Sequence, residues 1–226
     1  NIPISALDGD NIFFKSKKMK YSGETLLSVF ANLNIKKSDK IDDSILAVQD
    51  MSIRKDKRVY YVKHYGISAT TQKKYFNLRT NEEVFLKEIY KDGKKSKLLK
   101  NENGAIVLGS EISLTKHDVL SSSKSLGFSN SFKARIVWCS KKELLLSKRF
   151  KIKFRHGESN GFVSKSNLKQ TKENSISEVT VELETPLNID SYKKNYDFSQ
   201  FVLIDTQNNE TAAFGYVLFN LDKGLN

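Results

Sequence analysis

The segment RFKIKF (Arg149–Phe154) alternates without a break, with Phe150, Ile152 and Phe154 on one side and Lys151 and Lys153 on the other. A period of two is the signature of a β-strand with one face buried and one face in water. The same texture runs through most of the chain. In SFKARIVWC, Phe132, Ala134, Ile136 and Trp138 point one way and Lys133, Arg135 and Val137 the other. In EVTVELE, Val179, Val181 and Leu183 face inward, which leaves Glu178, Glu182 and Glu184 solvated. QFVLID and AAFGYVLF read as buried on both faces, with DTQNNET (Asp205–Thr211) as the turn between them. Earlier segments, ILAVQDMSI, RVYYVKHYGI, EEVFLKEIY, GAIVLG and HDVLSS, are strand-like as well. Lys91-Asp92-Gly93-Lys94 is a hairpin turn by its Asp-Gly pair. Many short strands at this spacing predict sandwiches or barrels, and closed barrels are favoured because they leave no exposed edge.

One segment has helical spacing. In YSGETLLSVFANLNI (Tyr21–Ile35), Ser22 is the expected N-cap, Glu24 sits in the first turn, and Leu26, Leu27, Phe30 and Leu33 share one face. The helix is expected to end near Asn34, before the polar run KKSDKIDD. Ser121–Asn130 is rich in Ser and Gly and reads as a linker. The chain therefore divides into a helical stub (residues 1–40), a first small all-β unit (41–125) and a second (126–226). With only two prolines, Pro3 and Pro186, turns fall to Gly, Asn, Asp and Ser.

Composition bounds the chemistry. The 226 residues suffice for one large domain or two small ones, and the 38% hydrophobic content suffices for packed cores. No apolar stretch approaches the roughly 20 residues that span a bilayer. The single Cys139 can form no internal disulfide and no multi-cysteine zinc site. The net charge of +12 admits a nucleic-acid or acidic partner, although lysines scattered over a surface give the same number. In the basic run SKRFKIKFRH the aromatics alternate with the basic face rather than lie on it, which fits a core better than base stacking. No P-loop, HExxH, EF-hand, GxGxxG or GxSxG motif occurs. His64, His117 and His156 stand in separate segments and read as surface or satisfied strand histidines. Asp8 and Asp10 read as a capping loop more readily than as a metal pair. Residues alone thus describe a two-module β-protein with no catalytic constellation and no metal site, a binding or scaffold module.

The opening, PISALDGDN (Pro3–Asn11), resembles the last nucleotide-contacting motif of translation-factor-type GTPases, and more closely that of the GTPase subunit of bacterial sulfate adenylyltransferase. In that family Pro-Ile-Ser-Ala-Leu-x-Gly-Asp-Asn is followed by a Gly-x-Thr-Leu-Leu helix, and Gly23-Glu24-Thr25-Leu26-Leu27 stands in that place. SEISLTKHDVLSS, FKARIVWCSKKELLLSKRFKIKF and VTVELETPLNIDSYKKNYDFSQFVLIDTQNNETAAFG are similar to later segments of the family, in order and spacing. Only the region from Asp50 to Ala105 is loose.

The resemblance implies a mainly β fold. Two consecutive elongation-factor-Tu-like barrels would follow the final loop and helix of a GTPase domain, the chain being a fragment of a longer subunit. It implies that Ser5, Ala6 and Leu7 form the guanine loop, useful only in the intact protein, with GTP and magnesium bound by the parent and no cofactor by this chain. It implies a cytoplasmic hetero-oligomer in which the small catalytic subunit is the partner, with no catalytic residue here, no membrane, and nucleic acid disfavoured. The alternatives are a translation-type GTPase fragment that binds tRNA or the ribosome, and a diverged inactive paralogue. The chain departs from the pattern at the first barrel's glycines. HYGISATTQKKYFNLRTNEEVFL keeps Gly66, with Asn77, Asn81 and Glu82 near turn positions, and His117-Asp118 replaces the family's Gly-Asp. Asn can take the left-handed backbone that such a turn needs.

Overall fold

The computed structural model describes residues 1–33, 41–54, 56–167 and 171–221. The chain forms two compact units, Asn1–Ser38 and Asp39–Asn226.

The first unit is organised by Asn11, which is fully buried with a φ of 57°. Its side chain donates to the Pro3 carbonyl (2.8 Å) and accepts from the Ser16 N–H (2.8 Å). Helix α1 (Leu26–Asn32) is shorter than its spacing suggests, and its N-cap is Thr25, not Ser22. The cause is local. The N–H groups of Leu26 and Leu27 are taken by the carbonyls of Asn11 and Ile12 (2.9 and 3.0 Å), so the first turn is satisfied by the loop. Glu24 consequently lies outside the helix, and the expected end at Asn34 lies outside the described residues. No residue of α1 is buried. Ile2 and Ile4 belong to no strand, and Ile4 is exposed.

The second unit is all β. Its first half contains β1 (Ser44–Arg54), β2 (Lys57–Gly66), β3 (Ala69–Thr70), β4 (Lys74–Asn77), β5 (Glu83–Lys91), β6 (Lys94–Ser96), β7 (Leu98–Leu99), β8 (Asn103–Leu108) and β9 (Val119–Ser121). The sheet order is β4-β9-β1-β2-β8-β5-β6, and β4 also pairs with β5. That pairing joins the ends, so six strands form a ring with β6 appended, while β3 and β7 pair separately. Leu46, Val48, Tyr60, Val62, Tyr75, Ile89 and Ile106 fill its interior. The second half contains β10 (Phe128–Trp138), β11 (Arg149–Phe154), β12 (Glu158–Ser166), β13 (Ile176–Asn188), β14 (Gln200–Asp205) and β15 (Thr211–Asn220). These close into a barrel of order β10-β13-β12-β11-β14-β15. Its core holds the inward residues named from the alternation, with Phe132, Phe154 and Phe201 in mutual ring contact at 5.4–5.9 Å.

Three readings need correction. Strand β14 alternates rather than being buried on both faces, its inward positions being Phe201, Leu203 and Asp205. Asp205 is held there by Lys148 (2.7 Å). Strand β15 turns Phe214 and Phe219 outward. The Ser/Gly-rich stretch is a shorter linker than expected, since Ser121 ends β9 and Phe128 begins β10. Strand β12 was invisible to the alternation argument because its inward positions are Ser159, Gly161 and Val163, two of them without an apolar side chain.

Turns follow the expected chemistry. Asn11, Asp56, Asn81, Asp92, Asn101, Asn174 and Asn209 all take positive φ. Asp92 and Gly93 (φ 49° and 74°) make the hairpin between β5 and β6 as the two left-handed positions of a primed turn. Because Phe132 is fully buried between two other rings, Phe132→Ala is expected to cost about 3–5 kcal/mol. Lys151→Ala, on the outward side of the same barrel, is expected to cost under ~0.5 kcal/mol. Urea denaturation at neutral pH measures both.

Candidate functional site

The two barrels meet in a third apolar cluster, distinct from either core. Ile45 and Ala47 of β1, Tyr65 of β2, Val119 of β9, Leu126 of the linker and Phe198 of the second barrel pack together and are all buried. Phe198 comes from a short 3-10 turn, Tyr196–Phe198. Its ring meets Tyr65 edge-on at 5.2 Å. Burial pushes the Tyr65 hydroxyl up to about 12, against the opposing charge of Arg155. Arg155 lies over the Tyr65 ring at 5.9 Å and pairs with Asp197, so the same seam is clamped at its rim.

The turn before β9 supplies the other half of the seam. Asp118 is buried, and its carboxylate accepts Nε of Arg79 (2.6 Å), a second Arg79 nitrogen (2.9 Å), Nδ2 of Asn77 (3.2 Å) and the N–H of Thr115 (2.9 Å). Burial alone would raise its pKa, but the hydrogen bonds from Arg79 and Thr115 outweigh that and hold it below the usual carboxylate range. With Asp118 fixed inward, His117 takes a φ of 74°. Here histidine occupies a left-handed position that normally favours glycine. Its ring packs on the second barrel at Gly157, where a Cβ would stand 3.2 Å from its Nδ1. Burial lowers the His117 pKa, partly offset by the nearby backbone of His156. His156 itself is buried, 4.5 Å from the Phe198 ring and 5.7 Å from the Phe154 ring. Neither of its ring nitrogens has a well-formed hydrogen bond among the described residues. Burial, with the neighbouring His117, lowers its pKa to about 3, and the backbone of Asn188 compensates only in part.

The three histidines therefore differ. His64 is a satisfied strand histidine, fully buried in β2. Its Nδ1 accepts from the Asn101 N–H (2.8 Å) and its Nε2 lies 2.9 Å from the Ile67 carbonyl, which fixes the neutral Nε2–H form. Burial lowers it to about 4. His117 and His156 belong to the seam, and neither is a surface or satisfied strand histidine. The sequence signal was the replacement of Gly by His before Asp118. Nothing in the sequence marked His156 as its neighbour.

The opening loop is a separate place. Ser5 closes it: the Gly9 N–H donates to the Ser5 carbonyl (2.9 Å), the Ser5 N–H to the Asp10 carbonyl (3.2 Å), and the Asp8 N–H to Ser5 Oγ (3.2 Å). Ala6 and Leu7 are exposed at its tip. The Asp8 carboxylate is engaged by Ser5 Oγ (3.4 Å) and Lys18 (3.6 Å), and Asp10 contributes its backbone carbonyl to the same loop. Some of the basic residues are internally matched. Arg135 pairs with Glu178, Arg149 with Glu184, Lys74 with Glu83 and Lys91 with Glu102. Glu178 and Glu184 are thus ion-paired rather than merely solvated. No helix among the described residues is long and apolar enough to cross a membrane.

Residues 149–218, which span β11 to most of β15, match the family described as GTP-eEF1A C-terminal domain-like. The chain is 27% identical to sulfate adenylyltransferase subunit 1 of Saccharophagus degradans, over 98% of this chain and 50% of that protein. It is 28% identical to the subunit of the same name from Francisella tularensis, over 96% and 49%. The chain is similar, along nearly its whole length, to sulfate adenylyltransferase subunit 1. It spans about half the length of those curated relatives. The fold has a counterpart among solved structures. A crystal structure of sup35 complexed with GDP superposes with a TM-score of 0.71, at 16% identity, over 97% of this chain and 58% of that one.

The buried histidines set an acid limit on the fold. In the unfolded chain His156 takes a proton near its ordinary value of 6.5, but in the fold not until about 3. Between those values the unfolded state binds the extra proton, so stability falls as pH falls, by about 1.4 kcal/mol per pH unit. His64 adds to the same loss between 6.5 and about 4. Chemical denaturation at pH 7 and pH 5 is expected to show His156→Phe losing less stability than the parent, by about 2 kcal/mol.

Proposed function

We propose that this chain is the two-barrel portion of the GTP-hydrolysing regulatory subunit of a sulfate adenylyltransferase, working in the cytoplasm on sulfate activation. The enzyme forms adenylyl sulfate and pyrophosphate from ATP and sulfate. In this reading the barrels, residues 41–125 and 126–226, hold the small catalytic subunit and couple it to GTP hydrolysis, while residues 1–40 complete a GTPase domain. The observation that carries it is the similarity to sulfate adenylyltransferase subunit 1 over 96–98% of the chain. The seam supports it: a buried apolar joint with a charged rim lets two barrels turn as one body and transmit a displacement.

Ser5, Ala6 and Leu7 are the proposed guanine loop. The closed backbone of the loop and the exposed tip fit a contact to a base edge. Asp8, engaged by Ser5 and Lys18, does not fit a magnesium ligand, so magnesium and the phosphates would be held by other parts of the intact subunit. Around this loop Leu7, Phe13, Phe14, Leu27, Phe30 and Leu33 are all exposed large apolar side chains, a surface that calls for covering protein.

The test is a binding titration of this chain against the small adenylyltransferase subunit of the same organism, with a tRNA titration over the same salt series. Saturable subunit binding is expected to survive ~0.2 M salt, with tRNA binding lost there, since phosphate-driven contacts weaken by orders of magnitude over that range. Salt-resistant tRNA binding without subunit binding would instead favour a translation-type role.

A further inference from the structure

The outer face of the first barrel carries a feature that neither the seam nor the opening loop uses. Tyr61 on β2 lies directly opposite Ala105 on β8, and Ala105 directly opposite Tyr90 on β5. Residues paired in this way share a face. Their chain neighbours Tyr60, Val62, Ile89 and Ile106 are buried in the barrel, so the row Tyr61–Ala105–Tyr90 stands on the outside. All three side chains are half-buried. Neighbouring strands lie about 4.8 Å apart, which puts the two tyrosines about 9.6 Å apart at the backbone. A flat ring stacked between two aromatic walls needs about 9–14 Å. Ala105 keeps the floor low, and a groove of about 630 Å³ follows the row.

The walls are held in place. The Tyr90 hydroxyl donates to Glu88 (2.8 Å), and Ser52 Oγ donates to the Tyr61 hydroxyl (3.3 Å). At the end of the groove Arg54 and Lys57 are directly paired across β1 and β2. The Arg54 guanidinium lies over the Tyr61 ring at 6.0 Å and Lys57 stands 3.8 Å from Glu88, so a guest ring on Tyr61 would take the place of Arg54 and leave that cation to meet an anionic tail. Glu88 does not turn the slot into a cage for a cation, because Tyr90, Lys95 (3.3 Å) and Lys57 (3.8 Å) already engage its carboxylate. A guest with a flat ring and an anionic tail matches both ends. We propose that this slot binds a purine nucleotide, with the base between Tyr61 and Tyr90 over Ala105 and the phosphates against Arg54 and Lys57.

Calorimetric titration of this chain with ADP, adenosine and tetramethylammonium tests the assignment. ADP is expected to bind saturably. Ala105→Phe, which fills the slot from an outward-facing position, is expected to weaken ADP by about tenfold or more, in line with the worth of base stacking. Tyr90→Leu removes a wall and serves where Ala105→Phe disturbs folding, with the same expected loss. The double variant Arg54→Ala, Lys57→Ala is expected to weaken ADP while leaving adenosine within about twofold. The proposal is overturned by absence of saturable ADP binding, by ADP binding that neither slot variant alters, or by preferential binding of tetramethylammonium. None of these outcomes bears on the subunit titration, which uses a different partner.

Discussion

The buried carboxylate of Asp118 is the fixed point of the barrel pair. It gathers two nitrogens of Arg79, the amide of Asn77 and the N–H of Thr115, and so pins the turn before β9 into the first barrel. The residues on either side then have no freedom. His117 must leave by a left-handed backbone step and meets the second barrel at Gly157. Val119 enters the cluster that joins the barrels. A buried, paired charge of this kind is costly to break, because the partner left behind is an unpaired ion in an apolar setting. Three consecutive residues thus face the first barrel, the second barrel and the joint between them.

The joint differs in character from the cores it connects. Each core is built from strand alternation, while the joint combines the outward positions Ile45 and Ala47 of β1 with a side chain from a 3-10 turn and two histidines. Its dependence on neutral His156, with Arg155 and Asp197 at its rim, makes it sensitive to acid. A joint that keeps two barrels together as one body must be stiff. An apolar seam with edge-on rings gives stiffness without covalent links.

Much of this was legible in the sequence, and for a physical reason. Strands with one wet face announce themselves by alternation, so Phe132–Trp138, Phe150–Phe154 and Val179–Leu183 could be assigned face by face. Strand β12 could not, because Ser159 and Gly161 occupy its inward positions. The N-cap moved from Ser22 to Thr25 because the carbonyls of Asn11 and Ile12, some fifteen residues away, claim the first helical N–H groups. The opening loop could be named only by resemblance. The seam could be read in part, through the histidine that stands before Asp118. Its partners His156, Gly157 and Phe198 lie some forty to eighty residues on, and only barrel closure brings them there. The row Tyr61–Ala105–Tyr90 depends on register across three strands, which no local pattern encodes.

The seam is expected to make the two barrels one cooperative body. Scanning calorimetry of the chain at neutral pH, repeated with Phe198→Ala, tests it most directly. The expected result is one transition for the barrels, with calorimetric and van't Hoff enthalpies in agreement, that splits or broadens when the Phe198 ring is removed. Two separable transitions in the unmodified chain, unmoved by Phe198→Ala, would contradict it.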